Sequence, residues 1–240
     1  MLADLHMDRL FDAIKTLQFQ PTSFFTPAYI TNLIHELVVK NQHQALARVR
    51  VTVFRGNGGI YDAINHAPNL LIQSWPLNPE NNNLNENGLV LGLYDGAFKA
   101  ADALANVKSN NYLLYAMAAL YARQQHCNDV LVLNHRKTVA DATIANLFLV
   151  DKRGAIVTPP LTDGGVAGVM RRHILSRLPS LGYTVLQQPV EVEQLAEAKA
   201  VFLTNAIYGI KWVAVFGNCT YERAIVQQLH RQLIEPLVKA

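Results

Sequence analysis

Cysteine is scarce in this chain, long apolar runs are missing, and charge of one sign never accumulates. The two cysteines in 240 residues, Cys127 and Cys219, cannot build a disulfide framework and lack the spacing of a metal site; they read as thiols of a reducing compartment. No stretch reaches the unbroken apolar length of a membrane span. The segment from Met1 to Arg9 carries acids and no apolar centre, which excludes a secretory signal there. The net charge of +3, with no block of like charges, gives no case for a nucleic-acid or membrane-surface partner. Eight histidines show no paired metal spacing, so no metal is expected. Neither a Gly-x-Ser-x-Gly elbow nor a Walker loop occurs. These absences leave a soluble, cytoplasmic protein as the expectation.

What is present is a folded chain. Half the residues are hydrophobic and 16% are charged, which excludes a largely disordered chain, and the length suits one large domain or two smaller ones. Leu2, Leu5, Leu10, Ala13/Ile14 and Leu17 recur at helical spacing. Thr26-Pro27 predicts the cap and first turn of a second helix striped by Ile30, Leu33/Ile34, Leu37 and Val38. From Arg48 to Arg55 the chain alternates, Val49, Val51 and Val53 facing one way and Arg48, Arg50 and Thr52 the other, as in a strand. Gly56-Asn57-Gly58-Gly59 turns it, and Asn69 to Trp75 returns.

The polar, Asn-rich run from Asn78 to Gly88 is the clearest break. It divides the chain into a smaller α+β domain at 1–79, a linker at 80–88 and a larger α+β domain at 89–240. In the larger domain the pattern predicts strands at Leu89–Tyr94, Val130–Leu133, Ala145–Val150, Ala155–Thr158, Thr184–Leu186, Ala200–Leu203 and Trp212–Phe216. It predicts helices at Asn111–Gln125, Gly168–Leu178, Glu193–Lys199 and Tyr221–Ile234, the last ending before Pro236. Leu113/Leu114, Met117, Leu120 and Tyr121 are the expected core stripe of the first of these helices. Strands and helices mix without regular alternation, so the fold class is α+β.

The stretch from Leu104 to Met170 concentrates the chemistry. Lys108 stands just before a polar helix start, with Tyr112 four residues on; a lysine among apolar and cationic neighbours releases its proton more readily and can form an imine. Most lysines are simply solvated. Asp141 lies between Val139 and Ile144 in an apolar region, either an edge carboxylate or one that faces a ring nitrogen. Gly164-Gly165-Val166-Ala167-Gly168 is a plain loop or an anion cradle, because it feeds a helix whose first N–H groups, on Val169 and Met170, are free for an acceptor. Arg50 and Arg9 read as solvated cations or, for Arg50, as a carboxylate clamp.

In this order, His6-Met7-Asp8-Arg9-Leu10, Lys108-Ser109-Asn110-Asn111, Thr138 to Phe148, Gly168-Val169-Met170-Arg171 and Thr204-Asn205-Ala206 resemble the class IV aminotransferase family of pyridoxal phosphate enzymes (fold type IV), over nearly the whole chain. The family includes branched-chain and D-amino acid aminotransferases and aminodeoxychorismate lyase. The resemblance implies a two-domain homodimer, pyridoxal 5′-phosphate as cofactor, and a small amine or amino-acid substrate. It makes Lys108 the Schiff-base lysine, places Arg9 and the N–H groups of Val169 and Met170 at the phosphate, and puts Asp141 where the family has a glutamate facing the pyridine nitrogen. It also implies Tyr112, Asn205 and Ala206 at the cofactor, and Arg50 and Asn205 at the substrate.

The Val169-Met170 pair and the Asn205-Ala206-Ile207 run are more similar to the lyase, a folate-precursor enzyme, than to the transaminases, as is Arg55-Gly56-Asn57-Gly58-Gly59. The expected activity is therefore release of pyruvate and 4-aminobenzoate. The alternatives are an amino-acid transaminase and a non-catalytic relative. Three departures stand out. Asp141 is one methylene shorter than glutamate, Ile60 occupies a place where some lyases have arginine, and the sequence starts at what is normally the first helix, so that the strands that usually precede it are expected to be either truncated or remodelled.

Overall fold

The computed structural model describes residues 1–43, 46–58, 61 and 65–239; Gly59 and Ile60, two of the positions that bear on lyase character, lie outside them. The chain divides into two units, residues 2–81 and residues 82–240 together with Met1.

The smaller unit carries helices α1 (Ala3–Thr16) and α2 (Pro27–Lys40) and the antiparallel strands β1 (Leu46–Arg55) and β2 (Pro68–Leu77). α2 starts as its sequence predicts. The Thr26 hydroxyl accepts from the Tyr29 N–H at 3.2 Å, and Pro27 fills the first helical position, where a missing N–H costs nothing. Val51 and Val53 turn inward onto Ile14, Phe25 and Ile30, while Arg48 and Arg50 stay exposed. The period-2 reading of β1 holds because only one of its faces is covered.

The Asn-rich run enters the larger unit as a fixed segment. Asn85 donates to the Trp212 carbonyl at 2.9 Å and accepts from the Trp212 N–H at 2.8 Å, as a neighbouring strand would. The following elements are β3 (Leu89–Lys99), α3 (Leu113–Gln124), β4 (Asp129–Asn134), β5 (Val139–Ala142), β6 (Asn146–Val150), β7 (Ile156–Thr158), α4 (Val169–Arg177), β8 (Val185–Gln187), α5 (Val192–Ala196), β9 (Ala200–Asn205), β10 (Gly209–Phe216), β11 (Cys219–Thr220), α6 (Ala224–Leu233) and α7 (Glu235–Lys239). Among the described residues they build one mixed sheet in the order β5-β4-β3-β10-β9-β6-β7-β8, with β11 beside β10. The arrangement is α+β, as expected.

Two expectations need correction. The buried face of α3 is Leu114, Tyr115, Ala118, Tyr121 and Ala122 against Val130 and Val132. Leu113, Met117 and Leu120 are instead exposed, at 72%, 47% and 50%. Both faces are apolar, and periodicity cannot say which of two apolar faces meets the sheet. The predicted last helix does end before Pro236, at Leu233, but it is not the final one: α7 follows with Pro236 at its second position, where no intrahelical donor is needed.

β5 and β6 are separated by three residues in the chain but by four intervening strands in the sheet. The Ala142 N–H nevertheless bonds the Ala145 carbonyl at 2.9 Å. The sheet must therefore curl until its β5 edge returns to β6. This closure puts the end of β5, the start of β6 and the end of β9 in one place.

Candidate active site

Asp129, at the start of β4, pins the β5–β6 connection. Its Oδ1 accepts from the Thr143 hydroxyl at 2.7 Å, the Thr143 N–H at 3.1 Å and its neighbour Val130 N–H at 2.8 Å. With that turn fixed, Asp141 on β5 points into the interior and is 3% exposed. Its Oδ1 accepts from the Asn146 amide at 2.6 Å; its Oδ2 accepts from the Val166 N–H at 2.7 Å and the Tyr115 hydroxyl at 3.2 Å.

Burial pushes the Asp141 carboxyl up to about 7, against the downward pull of Val166, Asn146, Tyr115 and the Lys108 charge. The Tyr115 hydroxyl is pushed far above its ordinary range by burial and by Asp141, so it remains a donor. Two further cations sense the same carboxylate. Lys99, which donates to the Ala105 carbonyl at 3.1 Å, and Arg171 are both lowered by burial and partly restored by Asp141. Arg171 is itself tied to the Pro159 carbonyl at 2.9 Å and the Gln187 side chain at 3.0 Å. Lys99, Lys108 and Arg171 outnumber Asp141 and Asp102, the two acids that act on Lys99, and make surroundings that favour an anionic ligand.

Lys108 is exposed and lies in an irregular segment, with the Ser109 N–H bonded back to the Val107 carbonyl at 2.9 Å. The residue that places this segment is Asn106. Its amide donates to the Leu161 carbonyl at 2.8 Å and the Gly165 carbonyl at 2.6 Å, and its carbonyl accepts from the Ala167 N–H at 3.0 Å. Asn106 thus staples the lysine segment to the Gly-rich turn.

The turn needs its glycines. Gly164 has φ +93°, and a Cβ there would stand 2.5 Å from the Ala100 carbonyl oxygen. At Gly165 a Cβ would meet the Ala140 carbonyl at 2.6 Å and Asp141 Oδ1 at 3.1 Å. The turn delivers the chain to α4, whose cap, Gly168, provides no side-chain acceptor. The first N–H groups of α4, on Val169 and Met170, therefore have no intrahelical partner, and both side chains are buried.

Thr204, near the end of β9, pairs in register with Asn146, and among the described residues its fully buried hydroxyl has no hydrogen-bond partner. The Asn205 carboxamide is spent on its own turn: it accepts from the N–H groups of Ile207 at 2.9 Å and Tyr208 at 3.1 Å and donates to the Ile144 carbonyl at 3.3 Å. These bonds fix the turn from Asn205 to Tyr208 at the end of β9. Tyr112 is half-exposed and occupies the cap position of α3.

The structure thus gathers Lys108, Asp141 and the Gly-rich turn, with Thr204 alongside through its register with Asn146. Arg9 and Arg50 belong to the smaller unit. Arg9 is half-buried on α1; burial of the His6 imidazole, followed by the charges of Arg9 and the N-terminus, pushes it down to about 4. Arg50 is on the exposed face of β1 opposite Gln73. Sequence reasoning missed Tyr115, Asn146, Asn106, Lys99 and the hydroxyl of Thr204. Asn146 and Thr204 lie inside motifs already singled out. Asn106 and Tyr115 carry no sequence signal, since their roles depend on partners tens of residues away.

The chain is 34% identical over 125 residues to aminodeoxychorismate lyase of Vibrio harveyi, covering 52% of this chain and 46% of that one. It is 28% identical over 249 residues to a protein of Synechocystis sp. named a probable branched-chain-amino-acid aminotransferase, covering 96% and 74%. Among solved structures, branched-chain aminotransferase of Thermoproteus uzoniensis with norvaline superimposes with a TM-score of 0.89 at 21% identity, over 99% of this chain and 79% of that one. The branched-chain amino acid aminotransferase of Thermobaculum terrenum in its PLP form gives 0.86 at 20% identity, over 99% and 78%. These show a shared fold. The family model described as amino-transferase class IV matches residues 1–215, and the chain belongs to that family.

Proposed function

We propose that the protein holds pyridoxal 5′-phosphate in the larger unit and uses it to release pyruvate and 4-aminobenzoate from aminodeoxychorismate. The observation that carries the cofactor reading is the sealed Asp141 carboxylate within electrostatic reach of Lys108. The residues fit the group. Asp141 would hold the ring nitrogen, the N–H groups of Val169 and Met170 and the orphaned Thr204 hydroxyl would take phosphate oxygens, and Lys108 would carry the carbonyl carbon. When bound, the cofactor supplies an electron sink that acidifies the proton on the amine-bearing carbon of the substrate.

The remaining work falls to this chain's own groups. The Lys108 amine takes that proton, the carbon–oxygen bond to the enolpyruvyl group breaks, and the proton is returned to the departing enolpyruvate, which becomes pyruvate. The ring left behind is aromatic, so no oxidant is required. The lyase reading draws on the apolar Val169-Met170 pair, the Asn205-Ala206 turn and the similarity to the Vibrio enzyme. The similarity to a Synechocystis aminotransferase over 96% of the chain supports a transaminase as the second reading. The exposed Leu113, Met117 and Leu120 stripe of α3 suits burial against a second copy of the chain, and we assign a homodimer.

The test is reconstitution with pyridoxal phosphate followed by visible spectroscopy of the wild type and Lys108→Ala. A bound-cofactor band that the variant lacks supports the cofactor reading. Pyruvate formed from aminodeoxychorismate supports the lyase; amino-group transfer from L-glutamate or D-alanine without pyruvate release replaces it with the transaminase. No band in the wild type overturns both.

A further inference from the structure

Asp141 is a shorter acid than the resemblance leads one to expect, and it is gripped from three separate elements: α3, β6 and the turn before α4. Two of its donors belong to the framework. The Val166 N–H is backbone, and Asn146 would stay in place in any case because its amide also donates to the Val166 carbonyl at 2.9 Å. Tyr115 is different. Its ring comes from the buried face of α3, which it shares with Leu114, Ala118, Tyr121 and Ala122, and its hydroxyl ends on Asp141 Oδ2. A donor to that oxygen favours the form of the carboxyl that only accepts.

We propose that Tyr115 is a positioning residue that holds Asp141 in its ionised, accepting form, and so secures a partner for the ring nitrogen of the cofactor despite the short side chain. This rests on the cofactor reading above. The charged groups that sense Asp141 are Lys108 from the irregular segment, Lys99 from β3 and Arg171 from α4, and all three favour the ion through space. Tyr115 is the titratable group that touches it directly. Burial, opposed by the Val166, Asn146 and Tyr115 donors and by the Lys108 charge, leaves the carboxyl at about 7, so one donor more or less decides its charge there. Lending or withdrawing that donor is then a means of setting the strength of the electron sink.

The experiment follows the carboxyl carbon of Asp141 by NMR in cofactor-free protein carrying 13C-labelled aspartate, with Asp141→Asn to assign the signal. Tyr115→Phe is expected to raise the titration midpoint by about one pH unit, a roughly tenfold gain in proton affinity. Replacing Tyr115 with 3-fluorotyrosine, a stronger donor of the same shape, is expected to lower it. The second variant decides the matter should the first fail to fold. An unmoved midpoint in both, or shifts of the opposite sign, overturns the proposal.

In protein loaded with pyridoxal phosphate, the pH at which the cofactor band changes is expected to move in the same order across the three proteins. Midpoints that shift without any cofactor band in the wild type would uphold the Tyr115–Asp141 coupling and overturn its assignment to a ring nitrogen. A normal band with unmoved midpoints would overturn the coupling alone and leave the cofactor reading standing.

Discussion

Asp141 and Asp163 are both sealed inside the larger unit, Asp163 just before the Gly-rich turn and Asp141 on β5 against its Val166 N–H, and their surroundings differ in kind. Asp163 is matched by a cation in direct contact: Arg136 reaches its Oδ1 at 2.6 Å, Thr138 its Oδ2 at 2.9 Å, and Asn134 its backbone carbonyl at 3.0 Å. Asp141 is held by neutral donors, the Tyr115 hydroxyl, the Asn146 amide and the Val166 N–H, and the Lys108 charge acts on it as well. The first arrangement is complete and locks the turn. The second leaves a carboxylate whose charge depends on its neighbours, which suits a site that must accept a ligand and respond to it.

Exchanging the two acids for inert residues sharpens this contrast most. Asp141→Asn is expected to lower turnover by about 10²–10⁴-fold, the range of a lost proton-controlling group, while its unfolding free energy at pH 8 stays level or rises. Steady-state rates and urea melts on the same sample check both halves. A pH series then separates native from unfolded protonation. Because the Asp141 carboxyl is raised to about 7 in the fold, the native state binds the extra proton between its ordinary pKa and 7. Its contribution is full below about 4 and lost as pH rises through 7, a change on the order of 4 kcal/mol that Asp141→Asn should flatten in urea titrations of the cofactor-free protein.

Asp163→Ala should show the reverse profile. It strands Thr138 and half-exposed Arg136 and is expected to cost about 2–3 kcal/mol, with activity retained below the lowered melting temperature. Gly165→Ala forces a Cβ against the Ala140 carbonyl and should cost about 1–3 kcal/mol while displacing Asp141, so it should hurt stability and cofactor affinity together. At the small end, Leu113→Ser with Met117→Ser on the exposed stripe of α3 should leave unfolding within about 0.5 kcal/mol. Its effect should appear instead as weaker self-association in sedimentation.

The parts of this molecule that could be read in advance are those whose cause is local. The Thr26-Pro27 cap, the alternation of β1 and the Gly-rich turn ahead of α4 each follow from residues next to one another, and the structure contains all three. Asp141 was singled out from its apolar neighbours, and the structure buries it. What stayed hidden depends on distant partners. Tyr115 meets Asp141 only because α3 presents one of two apolar faces to the sheet. Asn106 gains its meaning from carbonyls more than fifty residues away. The short α7 also went unread, because proline stops a helix in its interior and suits one at its beginning.

The curl that returns β5 to β6 also governs when the site can exist during folding. β6 is held by β9, β9 by β10, and β10 lies parallel to β3, from the opposite end of the unit. Such distant pairings form late, because their loop-closure cost comes before any contact repays it. A chain still lacking them can bring Asp141 near Asn146 by sequence alone, yet it cannot set Thr204 beside Asn146. Cofactor uptake is then a report that the last strands have joined, and a partly made protein offers the ligand nothing to hold.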